Sequence, residues 1–218
     1  MGTEAYFRTR FAPDARREVL WRALWRYHFS RLVSESDCVL ELGAGYGHFI
    51  NQVAAKRRIA LDSWDGFVRY LQPGIESRIG SVTDLSFLEP SSVNFVFASN
   101  VFEHMSQEDF ASVLVQLKKA LVDNGTLNIL QPNYYYSYRE YFDDYTHRTV
   151  YTHISIADFL EAHGYQVIEC RPRFLPLTVK SRWLPVSPIL IRLYLSFRWK
   201  PLGKQMFIRA RLKSDQKN

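Results

Sequence analysis

Short apolar runs alternate with segments of helical period through the first two thirds of the chain. The apolar runs predict strands at residues 38–42, 58–62, 75–79, 93–98 and 126–130. Helices are predicted between them at 48–55, 65–71 and 106–122, the last with Ser106 as its cap. Strands that alternate with helices predict a parallel sheet with helices on both faces, and nearly continuous apolar strands fit a sheet buried on both sides.

The two ends of the chain extend this plan. Helices are predicted over 14–33 and 155–163, and strands over 165–169 and 205–212 bring the sheet to seven. We therefore expect an α/β fold with a doubly wound, mostly parallel seven-stranded sheet. An N-terminal helical segment (1–36) would precede the main domain (37–218).

Two connections lack a regular period. Residues 132–154 are rich in Tyr, Asp and His, and a connection this long is usually functional, so a substrate loop is predicted there. Residues 171–204 form a basic, aromatic insertion, with a C-terminal basic helix predicted over 188–199. The net charge of +6 combines a balance of −5 over residues 1–170 with +11 over 171–218. This segregation favours an anionic substrate or a phospholipid surface, with a solvated tail as the alternative.

Cysteine content and hydropathy suggest the compartment. The two cysteines, Cys38 and Cys170, are too few for a disulfide framework, which fits a reducing cytoplasm. No apolar run approaches the ~20 residues of a membrane-spanning helix, and none follows the N-terminal arginines as in a secretory signal. We expect a cytoplasmic protein, with peripheral contact to the inner face of the membrane left open.

A glycine-rich string carries the strongest functional signal. The strand at 38–42 runs directly into Gly43-Ala44-Gly45-Tyr46-Gly47, and Asp62 ends the next strand. Glycine is needed where a chain turns sharply or a ligand touches backbone, and an acid at that strand end can bind ribose hydroxyls. The order of strand, loop, helix, strand and acid predicts a nucleoside cofactor.

The spacing argues against a dinucleotide. The nicotinamide fingerprint would require glycine at position 48, where the chain has His48, and no phosphate-binding Gly-Lys-Ser/Thr loop occurs in the sequence. Glu41 would repel a pyrophosphate but suits a ligand that carries an ammonium and a sulfonium. A nicotinamide-dependent dehydrogenase is kept as an alternative.

The Glu-x-Gly-x-Gly-x-Gly string resembles the first motif of the class I S-adenosylmethionine-dependent methyltransferases. The resemblance implies a Rossmann-like fold with S-adenosylmethionine as cofactor. It places the methionine part at the glycine loop, the ribose on Asp62, the adenine near the ends of the next two strands, and the methyl near Asn100. The cofactor-binding residues that it implies are Glu41, Gly43, Ala44, Gly45, Asp62, Ser63, Trp64, Asp84, Leu85 and Asn100.

Later strings are similar to narrower groups of this family. Phe102-Glu103-His104 resembles the Leu-Glu-His-like triplet of the small-molecule branch, whose histidine is generally structural. Residues 141–147 and the Gly-Lys-Gln-Met-Phe strand resemble bacterial methyltransferases associated with polysaccharide and glycolipid biosynthesis. The implied reaction transfers a methyl group to a hydroxyl of a small-molecule, sugar or glycolipid acceptor.

Oxygen methylation needs a positioned acceptor and a group that takes its proton. The loop after the fifth strand offers His147, Asp143 and Asp144; His147 is preferred because imidazole titrates near neutral pH. No metal is expected, because the His-x-x-x-His and Cys-x-x-Cys spacings do not occur in the sequence; metal-dependent O-methylation is a residual alternative.

The predicted partners follow from the basic insertion. A helix with an apolar side beside basic residues is typical of a membrane interface, and packing on the domain or on a second subunit is the alternative. We therefore expect a monomer or a homodimer. Nucleic acid is disfavoured because the first 170 residues are acidic. A non-catalytic scaffold acting through the basic tail is the alternative from another functional class.

Overall fold

The computed structural model describes residues 14–176, 187–197 and 199–214. They form a seven-stranded sheet in the order β3-β2-β1-β4-β5-β7-β6. Strands β1 to β5 pair in parallel, and β7 runs antiparallel between β5 and β6. The strands are β1 (Cys38–Leu42), β2 (Arg57–Asp62), β3 (Glu76–Ile79), β4 (Val93–Ser99), β5 (Leu121–Pro132), β6 (Tyr165–Pro176) and β7 (Gly203–Leu212).

The order of the strands creates a crevice between β1 and β4. The chain proceeds outward from β1 to β3, then returns to place β4 on the other side of β1, so Leu40 is paired with both Ile59 and Val96. Connections leave β1 and β4 in opposite directions at their carboxyl ends, which is where open α/β sheets bind ligands.

Helices cover both faces of the sheet. They are α1 (Ala15–Tyr27), α2 (Gln107–Ala120), α3 (Tyr134–Ser137), α4 (His153–Ala162) and α5 (Pro188–Ser196). The buried sides of α2 and α4 pack on one face of the sheet, through residues such as Phe110 and Leu160. The opposite face is covered by α1 and α5, through Leu24 and Ile191. The side chain of Asp14 caps α1, and Ser106 caps α2 as predicted.

Some predicted elements differ from those observed. The helix predicted at 48–55 is wrong: the chain turns and forms only a 3₁₀ segment, Ile50–Gln52. Here the Glu41 carboxylate accepts the Ile50 N–H at 3.0 Å, and the Asn51 amide bonds to Tyr70 O at 2.8 Å. Side chains therefore satisfy groups that a helix would have paired. The first helix ends at Tyr27 rather than 33, and β5 and β6 are each longer than predicted.

The basic insertion is described in part. Its start belongs to β6, and α5 forms within the span predicted to be helical. Residues 177–186 and 198 lie outside the described residues, as do 1–13 of the predicted N-terminal segment. Among the helices that the structure describes, none has the length and apolar character required to cross a bilayer.

Candidate functional site

The glycine loop turns tightly across the carboxyl ends of β1 and β2. Gly43, Gly45 and Gly47 adopt φ values of +67°, +53° and +65°, which side chains disfavour. The backbone N–H groups of Gly43 and Ala44 both donate to Leu61 O, at 2.9 and 3.1 Å. A Cβ on Gly43 would lie 2.7 Å from Val101 Cγ2, so the loop also requires glycine for packing.

Asp62 fastens this loop to the end of β2. Its Oδ2 accepts the Gly45 N–H at 2.7 Å, and its Oδ1 accepts the Trp64 N–H at 2.8 Å. The side chain is only 7% exposed, and burial raises the carboxyl pKa against the lowering effect of these N–H groups. The carboxylate is thus held rigidly, with lone pairs left for the hydroxyls of a ligand.

Glu41 supplies a second acid beneath the same loop. It is buried on β1, where burial raises its pKa well above the ordinary value. A cationic ligand beside Glu41 would offset the cost of ionising this buried carboxyl group. Glu41 borders a cavity of about 140 Å³, which is lined by Arg17, Leu20, Trp21, Glu41, Gly43, Ala44, His48, Phe49, Ser99, Asn100, Leu130, Leu175, Pro176 and Gln205.

Asn100 closes the β4 side of the cavity in the left-handed conformation, which asparagine tolerates better than most residues with a side chain. Its φ is +55°, and its N–H donates to Leu130 O at 2.8 Å. The Gln205 amide on β7 reaches Asn100 Oδ1 at 3.5 Å. Asn100, Glu41, Gly43 and Ala44 are the predicted cofactor residues that meet at this cavity.

The residues predicted near the adenine lie outside the cavity lining. Trp64 is buried, with its ring 5.4 Å from Tyr46 and 5.8 Å from Tyr70. Asp84 is exposed and accepts the Ser86 N–H at 3.1 Å; its hydrogen bonds to Ser86 lower the carboxyl pKa. Ser63 is exposed, and Leu85 is buried. The adenine assignments of Ser63, Trp64, Asp84 and Leu85 stay predictions.

The predicted substrate loop (residues 132–154, the acceptor loop) brings two of the three proposed catalytic residues into one network. His147 Nδ1 lies 2.6 Å from Tyr141 O. Asp144 Oδ1 accepts from the Thr146 hydroxyl at 2.6 Å, and that hydroxyl lies 3.0 Å from His104 Nδ1. The rings of His104 and His147 are 4.9 Å apart. Asp143 ends a 3₁₀ turn with an exposed side chain.

Glu103 joins this network, although no pattern in the sequence assigned it a role. Its backbone O accepts the N–H groups of Arg148 and Thr149, at 2.8 and 3.1 Å, which ties the acceptor loop to the turn after β4. The side chain is 0% exposed, and neither carboxylate oxygen has a hydrogen-bond partner among the described residues. Burial, with a smaller contribution from Asp144, raises the Glu103 pKa to about 8, against a lowering effect of its own backbone N–H, which does not reach hydrogen-bond geometry. The Glu-His string was recognised only as part of a resemblance.

A second cavity, of about 520 Å³, lies beside the acceptor loop and carries positive charge. Its lining includes Arg171, Arg173 and Lys200, with Phe197 and Trp199 at the same opening. Arg171 pairs with Glu169, whereas the Arg173 guanidinium lies 4.2 Å from the centre of the Tyr136 ring. Lys200 Nζ donates to the last carbonyls of α5, and burial, with Arg171 nearby, lowers the Lys200 pKa to about 8.

Comparison with known proteins gives this geometry a family context. A family model described as a methyltransferase domain matches residues 11–170. An uncharacterised methyltransferase-like protein of Schizosaccharomyces pombe is 30% identical over 105 residues, which is 45% of this chain. The match spans 40% of the length of that relative.

Solved structures share the whole fold at low sequence identity. A SAM-dependent methyltransferase from Archaeoglobus fulgidus superposes with a TM-score of 0.67 at 19% identity, covering 89% of this chain and 93% of its own. A Thermotoga maritima SAM-dependent methyltransferase, named as a possible histamine N-methyltransferase, gives 0.64 at 15% identity, covering 96% and 94%. The predicted seven-stranded Rossmann-like fold is confirmed, and the expected cofactor is that of these two structures.

Proposed function

Because the chain belongs to the methyltransferase domain family, we propose that it transfers a methyl group from S-adenosylmethionine to a hydroxyl of a small-molecule, sugar or glycolipid acceptor. The observation that carries this proposal is the cavity between β1 and β4, where Glu41, the glycine loop and Asn100 meet. A buried carboxylate beside a cavity suits a ligand that is cationic at one end.

The donor would lie across the carboxyl ends of β1, β2 and β4. Glu41 would face the positively charged methionine part, and Asp62 would accept hydrogen bonds from the ribose hydroxyls. Asp62 is suited to this because two backbone N–H groups already fix its orientation. Most of the rate enhancement in methyl transfer comes from aligning the nucleophile with the methyl and sulfur atoms.

His147 is the proposed proton acceptor for the acceptor hydroxyl. A carbonyl oxygen can only accept a hydrogen bond, so the contact with Tyr141 O places a proton on His147 Nδ1. The neutral ring then carries its lone pair on Nε2. The bound donor would supply an electrophilic methyl group, and His147 Nε2 would take the proton of the acceptor hydroxyl as its oxygen is methylated. Asp144 belongs to the supporting network, and Asp143 is the weaker candidate because its side chain is exposed.

The surroundings of the acceptor loop support an anionic or lipid-linked acceptor. Arg173 presents its guanidinium over Tyr136, and the basic cavity opens beside this pair. Exposed tyrosine rings suit stacking on a sugar; those of the loop are Tyr135, Tyr138 and Tyr145. Exposed apolar side chains on and after α5 suit peripheral contact with the inner face of a membrane, and these are Ile189, Leu190, Leu193, Phe197, Trp199 and Leu202.

Calorimetric titration with S-adenosylhomocysteine and, in parallel, with NADH tests the donor. We expect binding of S-adenosylhomocysteine alone. Binding of NADH instead would overturn the proposal in favour of a dehydrogenase, and binding of neither would favour a scaffold protein. A screen with labelled S-adenosylmethionine over sugar, sugar-phosphate, lipid-linked and amine acceptors then tests the acceptor, because preferred amine methylation would contradict transfer to oxygen.

A further inference from the structure

We propose that Glu103, His104 and His147 form a binding site for one divalent transition-metal ion of the zinc type. One oxygen of Glu103 and one ring nitrogen of each histidine lie within 4.8 Å of one another. Glu103 and His104 follow β4, whereas His147 comes from the acceptor loop. This inference goes beyond the proposed function, since it rests on the three side chains and on neither donor nor acceptor.

The carboxylate of Glu103 is the first argument for a cation. A buried carboxylate is stable only when paired, hydrogen-bonded or protonated. Both Glu103 oxygens lack hydrogen-bond partners among the described residues, and the side chain is wholly buried. A metal ion bound to one oxygen would supply the missing positive charge and raise the ionised fraction of this acid.

Two hydrogen bonds indicate the tautomers of both histidines. The Thr146 hydroxyl has a single proton and donates it to Asp144 Oδ1, so it accepts from His104 Nδ1. His147 Nδ1 donates to Tyr141 O. Each neutral ring therefore carries its lone pair on Nε2, which is the form of histidine that binds metals.

The groups behind these rings resemble the outer shell of a metal site. Metal-bound histidines almost always donate their second nitrogen to a carboxylate, a carbonyl or a similar acceptor, which orients the ring and raises its basicity. Tyr141 O has this role for His147, and Asp144 acts on His104 through Thr146. The ring nitrogens are thus oriented before any metal binds.

The ligand set selects the class of ion. Two imidazoles and one carboxylate are typical of zinc and related transition metals, whereas calcium and magnesium prefer oxygen ligands. Three protein ligands leave at least one position open to water or a ligand oxygen. A bound ion would occupy the Nε2 lone pair of His147, so the metal-bound protein could not use His147 as the proton acceptor proposed above. Metal binding is therefore measured without donor and acceptor, and its failure would leave the methyl-transfer proposal untouched.

The test uses tag-free protein with Cys170→Ser, because Cys170 is an exposed thiol that could itself bind metal. Chelator-treated protein is equilibrated with Zn²⁺ or Co²⁺, and bound metal is counted by elemental analysis. We expect about one ion per chain, and for Co²⁺ the visible absorption of a site with nitrogen ligands. Glu103→Gln and His147→Gln, measured separately, should each weaken binding at least ~10-fold, since each removes a direct ligand.

His163→Gln is the matched control. His163 is also half-buried and also directs Nδ1 to a carbonyl, Phe159 O at 2.7 Å, but it lies outside the cluster. It should leave binding unchanged. Because Glu103→Gln keeps the shape of the side chain and removes an uncompensated charge, this variant should fold. If it does not, metal binding is measured on His104→Gln in its place. Absence of stoichiometric binding, or binding that survives the ligand variants, overturns the proposal.

Discussion

The Asp62 carboxylate accepts a 2.7 Å hydrogen bond from the backbone N–H of Gly45, seventeen residues earlier in the chain. This contact joins the acid at the end of β2 to the middle of the glycine loop. The loop and Asp62, which is proposed to bind the ribose, are therefore positioned by each other before any ligand arrives. Preorganisation of this kind lowers the ordering cost that binding would otherwise have to overcome.

Replacing Asp62 by alanine should weaken S-adenosylhomocysteine binding by at least ~10-fold, because hydrogen bonds to a charged group contribute about 1.5–3 kcal/mol. Calorimetry measures the affinity, and far-ultraviolet circular dichroism checks that the domain stays folded. Asp65→Ala is the control, since the Asp65 side chain is exposed in the turn that follows. Unchanged affinity in Asp62→Ala would remove the ribose assignment.

Gly43→Ala should lower the free energy of unfolding by about 1–3 kcal/mol, because the new Cβ meets Val101 at 2.7 Å and the residue has a φ of +67°. Gly80→Ala is a matched control. Its Cβ would meet only Leu61 Cδ1, at 3.8 Å, and its φ is not positive. Urea unfolding measures the free energy of unfolding of both variants. Equal losses in Gly43→Ala and Gly80→Ala would show that position 43 does not require glycine.

The sequence predicted the fold better than it predicted the site. Strand patterns are strong because β1 is buried along its whole length, and glycine spacing marks the loop directly. The helix expected after the loop failed because the Ile50 N–H bonds instead to the buried Glu41 side chain. A periodic pattern contains no information about that side-chain acceptor.

The cluster at the acceptor loop shows the same limit. His104 and His147 are 43 residues apart in the chain but have ring centres 4.9 Å apart. Their neighbourhood depends on Glu103 O pairing with the backbone of the acceptor loop, which no metal-ligand spacing could reveal. Short histidine or cysteine motifs therefore could not have brought these three side chains together in a prediction.

Glu41 should give the cofactor-free protein a characteristic dependence on pH. Its folded-state pKa is raised by burial, so its protonated form is tolerated and its ionised form is costly. The stability of wild type relative to Glu41→Gln is therefore fully present below the ordinary carboxyl pKa. It is lost as the pH rises from there towards the raised folded-state pKa of Glu41. The limiting slope of this difference is about 1.4 kcal/mol per pH unit.

Urea unfolding of wild type and Glu41→Gln between acidic and neutral pH measures that difference directly. Taking the difference cancels the titration of other groups, such as His28, whose pKa is lowered by burial to about 4. Glu108→Gln, at an exposed position on α2, should differ from wild type in free energy of unfolding by an amount that does not grow with pH. If the difference in free energy of unfolding between wild type and Glu41→Gln stayed constant across this pH range, Glu41 would be ionised at little cost in the folded protein.

His147→Ala should lower kcat by about 100-fold or more if His147 takes the acceptor proton, since general bases contribute about that much. The KM for S-adenosylmethionine should stay near its wild-type value, because His147 is not among the described residues that line the cavity between β1 and β4, where the donor is proposed to bind. His163→Ala is the control at another half-buried histidine. A near-normal kcat in His147→Ala would assign this residue a structural role.

The exposed apolar side chains around α5 should attach the protein to anionic membranes. Trp199 is 76% exposed and Leu193 is 53% exposed, on the part of the chain where positive charge is concentrated. Sedimentation with phosphatidylglycerol vesicles should show binding that weakens with salt. The double variant Leu193→Ser/Trp199→Ser should reduce it at least ~10-fold, because burying one such side chain contributes about 1.5–3 kcal/mol.

Val115→Ser tests whether that loss is specific to this surface. Val115 is similarly exposed but lies on α2, and the core of α2 packs on the opposite face of the sheet from α5. It should leave vesicle binding unchanged. A different result would identify the apolar surface as a subunit interface. In that case the wild type does not bind vesicles and sediments as a dimer in analytical ultracentrifugation, whereas the double variant sediments as a monomer. In that case the acceptor need not be membrane-bound, and the basic cavity beside Arg173 would serve a soluble anionic acceptor.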